Sequence, residues 1–132
     1  MLQQERLGHT LQRKPFKNMK TELILATSKY VRTTTKKAGP VMTLIRGKSY
    51  LEAERILTFT RSKAAKLVLK TLKSAGANAT NNNSKKEDAL YVLKAEVGAG
   101  PTQKRGRIVA KSRINPILKR TSHIMIGLGE KA

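Results

Sequence analysis

The side chains that could catalyse a reaction are few and lie far apart in the chain. Among 132 residues there are 28 Lys and Arg, 8 Asp and Glu, two His and no Cys. General acid–base catalysis commonly uses paired carboxylates or a tuned histidine. Glu52 and Glu54 stand two positions apart on a predicted helix and therefore face in different directions. His9 and His123 have no potential metal ligands near them in the sequence, and the absence of Cys excludes a thiol nucleophile.

Glycines near basic residues do not supply the missing chemistry. "GAGP" and "IRGK" match neither a P-loop nor a dinucleotide-binding fingerprint. We therefore expect no enzyme activity, no metal site, no cofactor and no small-molecule substrate.

Positive charge is the most informative property of the composition. A formal net charge of +20 on a chain of this size repels itself and opposes compaction unless a polyanion neutralises it. Nucleic acid is the leading candidate for that polyanion, and an anionic membrane surface is the second. A membrane span is not expected, because no apolar run approaches the roughly 20 residues that one needs.

One stretch, "GPTQKRGRIVAKSRINPILKRTSHI" from Gly100 to Ile124, concentrates this charge. It contains seven Lys and Arg and no acid. Strand-forming residues precede it at Ala89–Val97, and a second strand-forming segment, Ile117–Leu128, overlaps its end. This pattern predicts a long hairpin. A two-stranded ribbon is marginal alone in water, and nearby like charges cost energy without a counter-anion. Because aromatic residues are scarce beside the basic patches, we expect binding through phosphate and shape rather than base stacking.

Four earlier elements must form the body that carries this hairpin. "TELILATSKYV", Thr21 to Val31, alternates and predicts a strand. Because Pro40 is costly in a helix interior but tolerated in a first turn, we expect either a short helix from about Gly39 to Arg46 or a longer helix that is kinked there. Ser49 should cap a second helix, with Glu52 completing a capping box. Ser62 should cap the third, whose apolar face comprises Ala64, Ala65, Val68, Leu72 and Ala75.

The chain divides into an extension and one domain. Residues 1–20 form a basic N-terminal extension without the apolar region of a secretory signal. Residues 21–132 form a single nucleic-acid-binding domain, with the extended hairpin at about 98–118. A polar loop, Asn81 to Asp88, separates the helices from the hairpin.

Four motifs, in this order and spacing, resemble one family. They are "IRGK" (Ile45–Lys48), "SAGANA" (Ser74–Ala79), "GPTQKR" (Gly100–Arg105) and "LKRTSHI" (Leu118–Ile124). Each is weak alone, but together they resemble the large-subunit ribosomal protein twenty-two family, bacterial and organellar type, over about Glu22 to Leu128. The resemblance implies an α+β fold: a small antiparallel three-stranded sheet packed on three helices, with one long protruding β-hairpin.

The resemblance also implies a function and partners. It implies a structural constituent of the large ribosomal subunit that binds large-subunit rRNA, supports assembly and lines the polypeptide exit tunnel. Neighbouring ribosomal proteins and, at the hairpin tip, the nascent polypeptide would be further partners. The compartment implied is the bacterial cytoplasm, with an organelle matrix or stroma as the alternative. A non-specific nucleic-acid-binding protein or RNA chaperone is the competing interpretation, against which the long acid-free hairpin argues.

The family pattern also assigns roles to individual positions. The residues implied to bind rRNA are Arg32, Lys36, Lys37, Arg46, Lys48, Lys104, Arg105, Arg107, Lys111, Arg113, Lys119, Arg120, Thr121, Ser122 and His123. The tunnel-lining tip is Ile108, Val109, Ala110, Lys111, Ser112 and Arg113. At this tip the family usually carries Pro-Arg-Ala-x-Gly-Arg, so a proline, an arginine and a glycine are replaced here.

Overall fold

The structure is a computed structural model that describes residues 23–130. These residues form an α+β body and a two-stranded ribbon. The predicted N-terminal extension lies outside the described residues. In chain order the elements are β1 (Ile24–Val31), α1 (Thr35–Ile45), α2 (Tyr50–Phe59), α3 (Lys63–Asn83), a 3-10 turn (Glu87–Ala89), β2 (Leu90–Ala99), β3 (Gln103–Val109), β4 (Arg113–Lys119) and β5 (Ser122–Glu130).

The body is a three-stranded antiparallel sheet covered on one face by the three helices. Its strand order is β1-β5-β2, so the last strand of the chain lies in the middle. Ile124, Ile126 and Leu128 alternate along β5, are fully buried, and meet the apolar faces of the helices. This arrangement confirms the α+β class and the sheet-on-helices architecture.

Two helices begin where the sequence predicts. The Ser49 hydroxyl accepts a hydrogen bond from the Glu52 N–H at 3.3 Å, and the Ser62 hydroxyl accepts one from the Ala64 N–H at 3.2 Å. Each bond satisfies a donor that the first helical turn leaves free. The predicted apolar face of α3 is buried along its whole length: Ala64, Ala65, Val68, Leu72 and Ala75.

Of the two expectations for α1, the short helix that starts at Gly39 is wrong. The helix begins at Thr35 and continues through Pro40, although proline removes one backbone donor and crowds the preceding turn. Gly39 eases that crowding, because it has no Cβ to meet the proline ring. Burial of four apolar side chains outweighs the remaining cost: Ala38, Val41, Met42 and Ile45.

The polar loop predicted from Asn81 is also shorter than expected. Helix α3 runs through Asn83 and ends at Ser84, whose backbone is left-handed at φ 50°. The Ser84 N–H donates to the Ala79 carbonyl, which is a usual way to close a helix.

The hairpin leaves the body as a separate two-stranded sheet. Strands β3 and β4 pair from Gln103↔Lys119 to Val109↔Arg113, and they contact the body mainly through their ends. The strand predicted from Ile117 to Leu128 is therefore split, because the chain leaves the ladder at Arg120 and Thr121. Except for half-buried Val109, each residue of β3 and β4 is exposed.

Candidate nucleic-acid interface

A cationic hollow lies where the body meets the hairpin. It has a volume of about 390 Å³, and we call it the basic recess; its walls are Arg32, Thr33, Thr34, Lys37, Ser62, Lys63, Ala64 and Arg120. Thr34 and Ser62 are the N-caps of α1 and α3, so two helix N-termini border the same hollow. Helix N-termini carry partial positive charge and free N–H groups, which suit phosphate. Four cations and no acid line the recess, so its electrostatic potential favours an anion.

A second hollow extends this surface along the hairpin. It measures about 280 Å³, shares Arg32, Lys63 and Arg120 with the basic recess, and adds Gln103, Leu118, Lys119 and Thr121. Two hydrogen bonds hold the junction: Gly100 N–H to the Thr121 carbonyl at 2.9 Å, and Thr121 Oγ1 to the Pro101 carbonyl at 2.7 Å. The cationic surface is therefore continuous from the helices to the base of the hairpin.

The hairpin continues that surface with exposed cations on both strands and in the turn between them. They are Lys104, Arg105, Arg107, Lys111 and Arg113. The same ribbon exposes apolar side chains, among them Ile108, which is 82% exposed, and Ile114, at 66%. A ribbon that exposes both cations and large aliphatic groups is suited to being enclosed by a partner rather than to standing in water.

Ion pairs do not neutralise this surface. Among residues 23–130 the four salt bridges use Lys48, Lys73, Lys85 and Lys94. None of these lysines lines the recess or belongs to β3 or β4. Within residues 23–130, therefore, the cations that line the recess and those of β3 and β4 form no salt bridge.

Two predicted binding residues lie elsewhere and already have partners. Arg46 and Lys48 follow the C-terminal end of α1, about 16 Å of helix from the recess. The Arg46 guanidinium donates to the Ala95 carbonyl at 2.7 Å, which ties α1 to β2. Lys48 pairs with Glu52 at 2.8 Å. Lys36 is exposed on the first turn of α1, next to the recess residue Lys37.

The motif around His123 gives a mixed result. Ser122 has no exposed surface, so assigning it to an RNA contact was wrong: its side chain faces the core with Ile124. His123 is half-buried, and its Nδ1 accepts a hydrogen bond from the Tyr30 backbone N–H at 3.0 Å. Thr121 is half-buried at the hairpin junction and lines the second hollow.

The predicted tip falls at the end of the hairpin. Val109 pairs with Arg113, and Ala110, Lys111 and Ser112 form the turn. Lys111 and Ser112 both have φ of 57°, a left-handed conformation that is uncommon for residues with a Cβ. Ser112 stands where the family pattern has glycine, so the turn keeps a glycine-like backbone without glycine.

Sequence reasoning missed several residues of the basic recess. Lys63 belongs to a row of four lysines on α3, with Lys66, Lys70 and Lys73, and the simpler interpretation of such a row is a solvated helix face. Its position directly after the helix cap Ser62 was the available signal, since cations there border a helix N-terminus. The contribution of Thr33 and Thr34 depends on the packing of α1 against α3, which no local pattern reveals.

Other kinds of site find no support in the described part. Within residues 23–130 no three His, Asp or Glu side chains come together as potential metal ligands. No helix among those residues is long and apolar enough to cross a membrane.

Comparison with known proteins adds a family match. The sequence model described as "Ribosomal protein L22p/L17e" matches residues 26–129. The chain is 49% identical over 106 residues to "Large ribosomal subunit protein uL22" of Thermus thermophilus, covering 80% of this chain and 94% of the relative. It is 49% identical over 104 residues to the protein of that name from Rubrobacter xylanophilus, covering 79% and 82%. With the Clostridioides difficile protein it shares 45% identity over 106 residues, covering 80% and 96%.

Proposed function

Because the chain belongs to the ribosomal protein L22p/L17e family, we propose that it is a structural, non-enzymatic constituent of the large ribosomal subunit that binds rRNA. The observation that carries the proposal is the acid-free cationic surface that runs from the basic recess onto the hairpin. The similar proteins come from bacteria, so a bacterial ribosome in the cytoplasm is the proposed location.

The body docks on RNA through charge and shape. Backbone phosphates bind in the basic recess, where two helix N-termini add to the attraction. The side chains that donate to them are Arg32, Lys37, Lys63 and Arg120. Arginine forks bind phosphate with two parallel hydrogen bonds, so they fix orientation as well as supplying charge. Lys36 and Lys119 bind further phosphates on either side of the recess.

The hairpin joins RNA segments that the body alone does not reach. Lys104, Arg105 and Arg107 contact phosphates along one strand, and Lys119 and Arg120 do so at the base of the other. Enclosure by RNA neutralises these cations and covers the exposed Ile114 behind the turn, so it reduces both causes of instability in the free ribbon. The hairpin thereby supports subunit assembly.

The turn at the far end lines the polypeptide exit tunnel. In this proposal Ile108 to Arg113 face the passage and meet the nascent chain, while neighbouring ribosomal proteins contact the body. The exposed side chains of Ile108 and Lys111 offer the passage one apolar and one cationic surface.

Sedimentation of cell extract tests the proposal against non-specific RNA or DNA binding. The protein, followed by immunoblotting across a sucrose gradient, should migrate with large subunits and remain there after a high-salt wash. Many simultaneous phosphate contacts and an enclosed hairpin predict slow release. Release by salt, or migration with bulk nucleic acid, would refute the ribosomal assignment and favour a non-specific chaperone.

A further inference from the structure

We propose that Tyr30, braced by His123 at the base of the hairpin, is a stacking surface for one unpaired base of the bound rRNA. The inference rests on the proposed function and adds to it, because the phosphate contacts described above carry no base recognition. It also reverses the expectation, drawn from the scarcity of aromatics, that stacking plays no part.

A bulge in β1 turns Tyr30 away from the regular ladder. Ser28 pairs with Ile124 and Val31 with Ser122, so Lys29 and Tyr30 together stand opposite His123 alone. Tyr30 has φ of 55°, which is rare for a bulky residue because its Cβ crowds the backbone. A strained backbone that persists in a well-packed sheet points to a role for the side chain it presents.

The Tyr30 ring is both open and held in place. The Tyr30 side chain is 62% exposed. The His123 ring meets it edge to face, with the ring centroids 4.9 Å apart and the planes at 83°. The Tyr30 N–H also donates to His123 Nδ1 at 3.0 Å. A ring fixed in this way loses little conformational freedom when a base stacks on it.

The cations that follow Tyr30 in the chain and line the hollows at the hairpin base favour a nucleotide as the occupant. Arg32, two residues beyond Tyr30, lines both hollows, and so does Arg120. Lys29, within the bulge, is exposed. A nucleotide offers an anion for these cations and a flat apolar face for the ring, whereas an apolar protein surface would bury the cations unpaired.

Phe59 is more exposed than Tyr30, at 84%, but it lacks the supporting features. It follows the regular geometry of the last turn of α2, and no ring contact within residues 23–130 braces it. A single exposed apolar residue is normal on a protein surface, so Phe59 carries no proposal.

Binding to deproteinised large-subunit rRNA of Thermus thermophilus separates ring loss from backbone strain. Tyr30→Gly removes the ring yet accepts the left-handed backbone, and it should bind roughly tenfold more weakly than wild type. Tyr30→Phe keeps the stacking face and should bind as wild type does. Neither variant removes a charge, so the slope of log K against log salt should stay constant, whereas Arg32→Ala should make it shallower.

Fluorescence supplies a direct readout of stacking, since the chain contains no Trp. Tyr30→Trp places a single indole at the platform, and its emission should be quenched on saturation with the rRNA. Leu25→Trp, on the same strand and at a position that is 47% exposed, is the matched control and should change little.

Three results would overturn the inference. They are wild-type affinity in Tyr30→Gly, unchanged emission of Tyr30→Trp at saturation, and quenching that appears only after ribosomal proteins are added, which would assign the ring to a protein contact. Failure of the proposed function looks different, because the wild-type chain itself would then not bind the rRNA in preference to competing bulk RNA.

Discussion

At the scale of single residues, Gly76 shows how closely α3 and α2 approach. A Cβ at this position would lie 2.7 Å from the Cζ and hydroxyl oxygen of Tyr50. Tyr50 is almost fully buried, and its pKa is raised by that burial first and then by the carboxylates of Glu54 and Glu87, so the phenol stays neutral. Glycine normally costs a helix interior about 1 kcal/mol relative to alanine. Here the absence of a Cβ lets the Tyr50 ring approach the backbone of α3 closely.

Gly76→Ala should therefore lower the free energy of unfolding by about 2 kcal/mol, even though alanine favours helix formation. The buried ring has no room to move away, so the added methyl strains both helices. Ser74→Ala, at an exposed position two residues earlier in α3, is the control and should leave stability equal or slightly higher. Urea unfolding of both variants measures the difference, and a Gly76→Ala protein as stable as Ser74→Ala would contradict the close packing.

For β5, the two-residue alternation of apolar side chains predicted burial correctly, whereas the family motif "LKRTSHI" predicted it incorrectly. The two-residue period of the strand predicted over Ile117–Leu128 puts Ile124, Ile126 and Leu128 on one face, and all three are buried. Ser122 lies on the same face by the same two-residue period, and that period predicts its burial. It was assigned to the surface instead because it belongs to the "LKRTSHI" motif. The bulge at Tyr30 could not be predicted, since it arises from the register between two strands that lie about 90 residues apart.

At the scale of elements, the hairpin and the body rest on different forces. Side chains from β3 and β4 are absent from the buried core of the described part, whereas β2 and β5 supply Leu90, Val92 and Ile126 to it. The ribbon is held by its own ladder and by the junction at Gly100 and Thr121. Its contribution to the stability of the free protein should be small.

Reversing the charge of Lys104, Arg105 and Arg107 together, each to Glu, should impair subunit assembly and leave the melting temperature nearly unchanged. The three side chains are exposed and make no contact with the core, so the change should weaken the complex with RNA without destabilising the free protein. Reconstitution of large subunits, followed by sedimentation, measures the first effect, and thermal unfolding of the free protein measures the second.

A control with the same change in net charge distinguishes position from overall charge. Arg55, Lys70 and Lys86 are exposed residues of the body that line neither hollow. Their reversal to Glu should impair assembly less. Equal damage by both triple variants would mean that net charge alone drives incorporation, and a large drop in melting temperature for the first would place the hairpin within the folded core.

Elements were predicted well wherever their signals are local. The caps at Ser49 and Ser62 bond to N–H groups within three residues of the capping side chain, and both were predicted correctly. The Glu52 carboxylate, expected to complete a capping box at Ser49, pairs with Lys48 instead. The start of α1 was missed because Pro40 is a strong local signal that tertiary burial overrides. The recess could not be predicted, because α1, α3 and the hairpin base converge only in the folded chain.

At the scale of the whole molecule, most of the positive charge has no internal counterpart. The four salt bridges of the described part pair lysines with Glu52, Glu54, Glu96 and Glu130, outside the recess and β3–β4. Folding the free protein thus brings many cations together without neutralising them, and the interface is where they gather. The same unpaired charge that favours RNA binding must destabilise the free fold.

Salt should therefore act in opposite directions on the folding and the binding of this protein. Raising NaCl from about 50 to about 200 mM should increase the melting temperature of the free chain, because screening weakens the repulsion between its cations. Over the same range its affinity for large-subunit rRNA should fall by roughly three orders of magnitude if six or more phosphates are contacted, because releasing counterions into a more concentrated salt solution gains less entropy. Calorimetry and filter binding on one preparation measure both quantities. A melting temperature that falls with salt, or an affinity that hardly changes, would show that unpaired surface charge governs neither property.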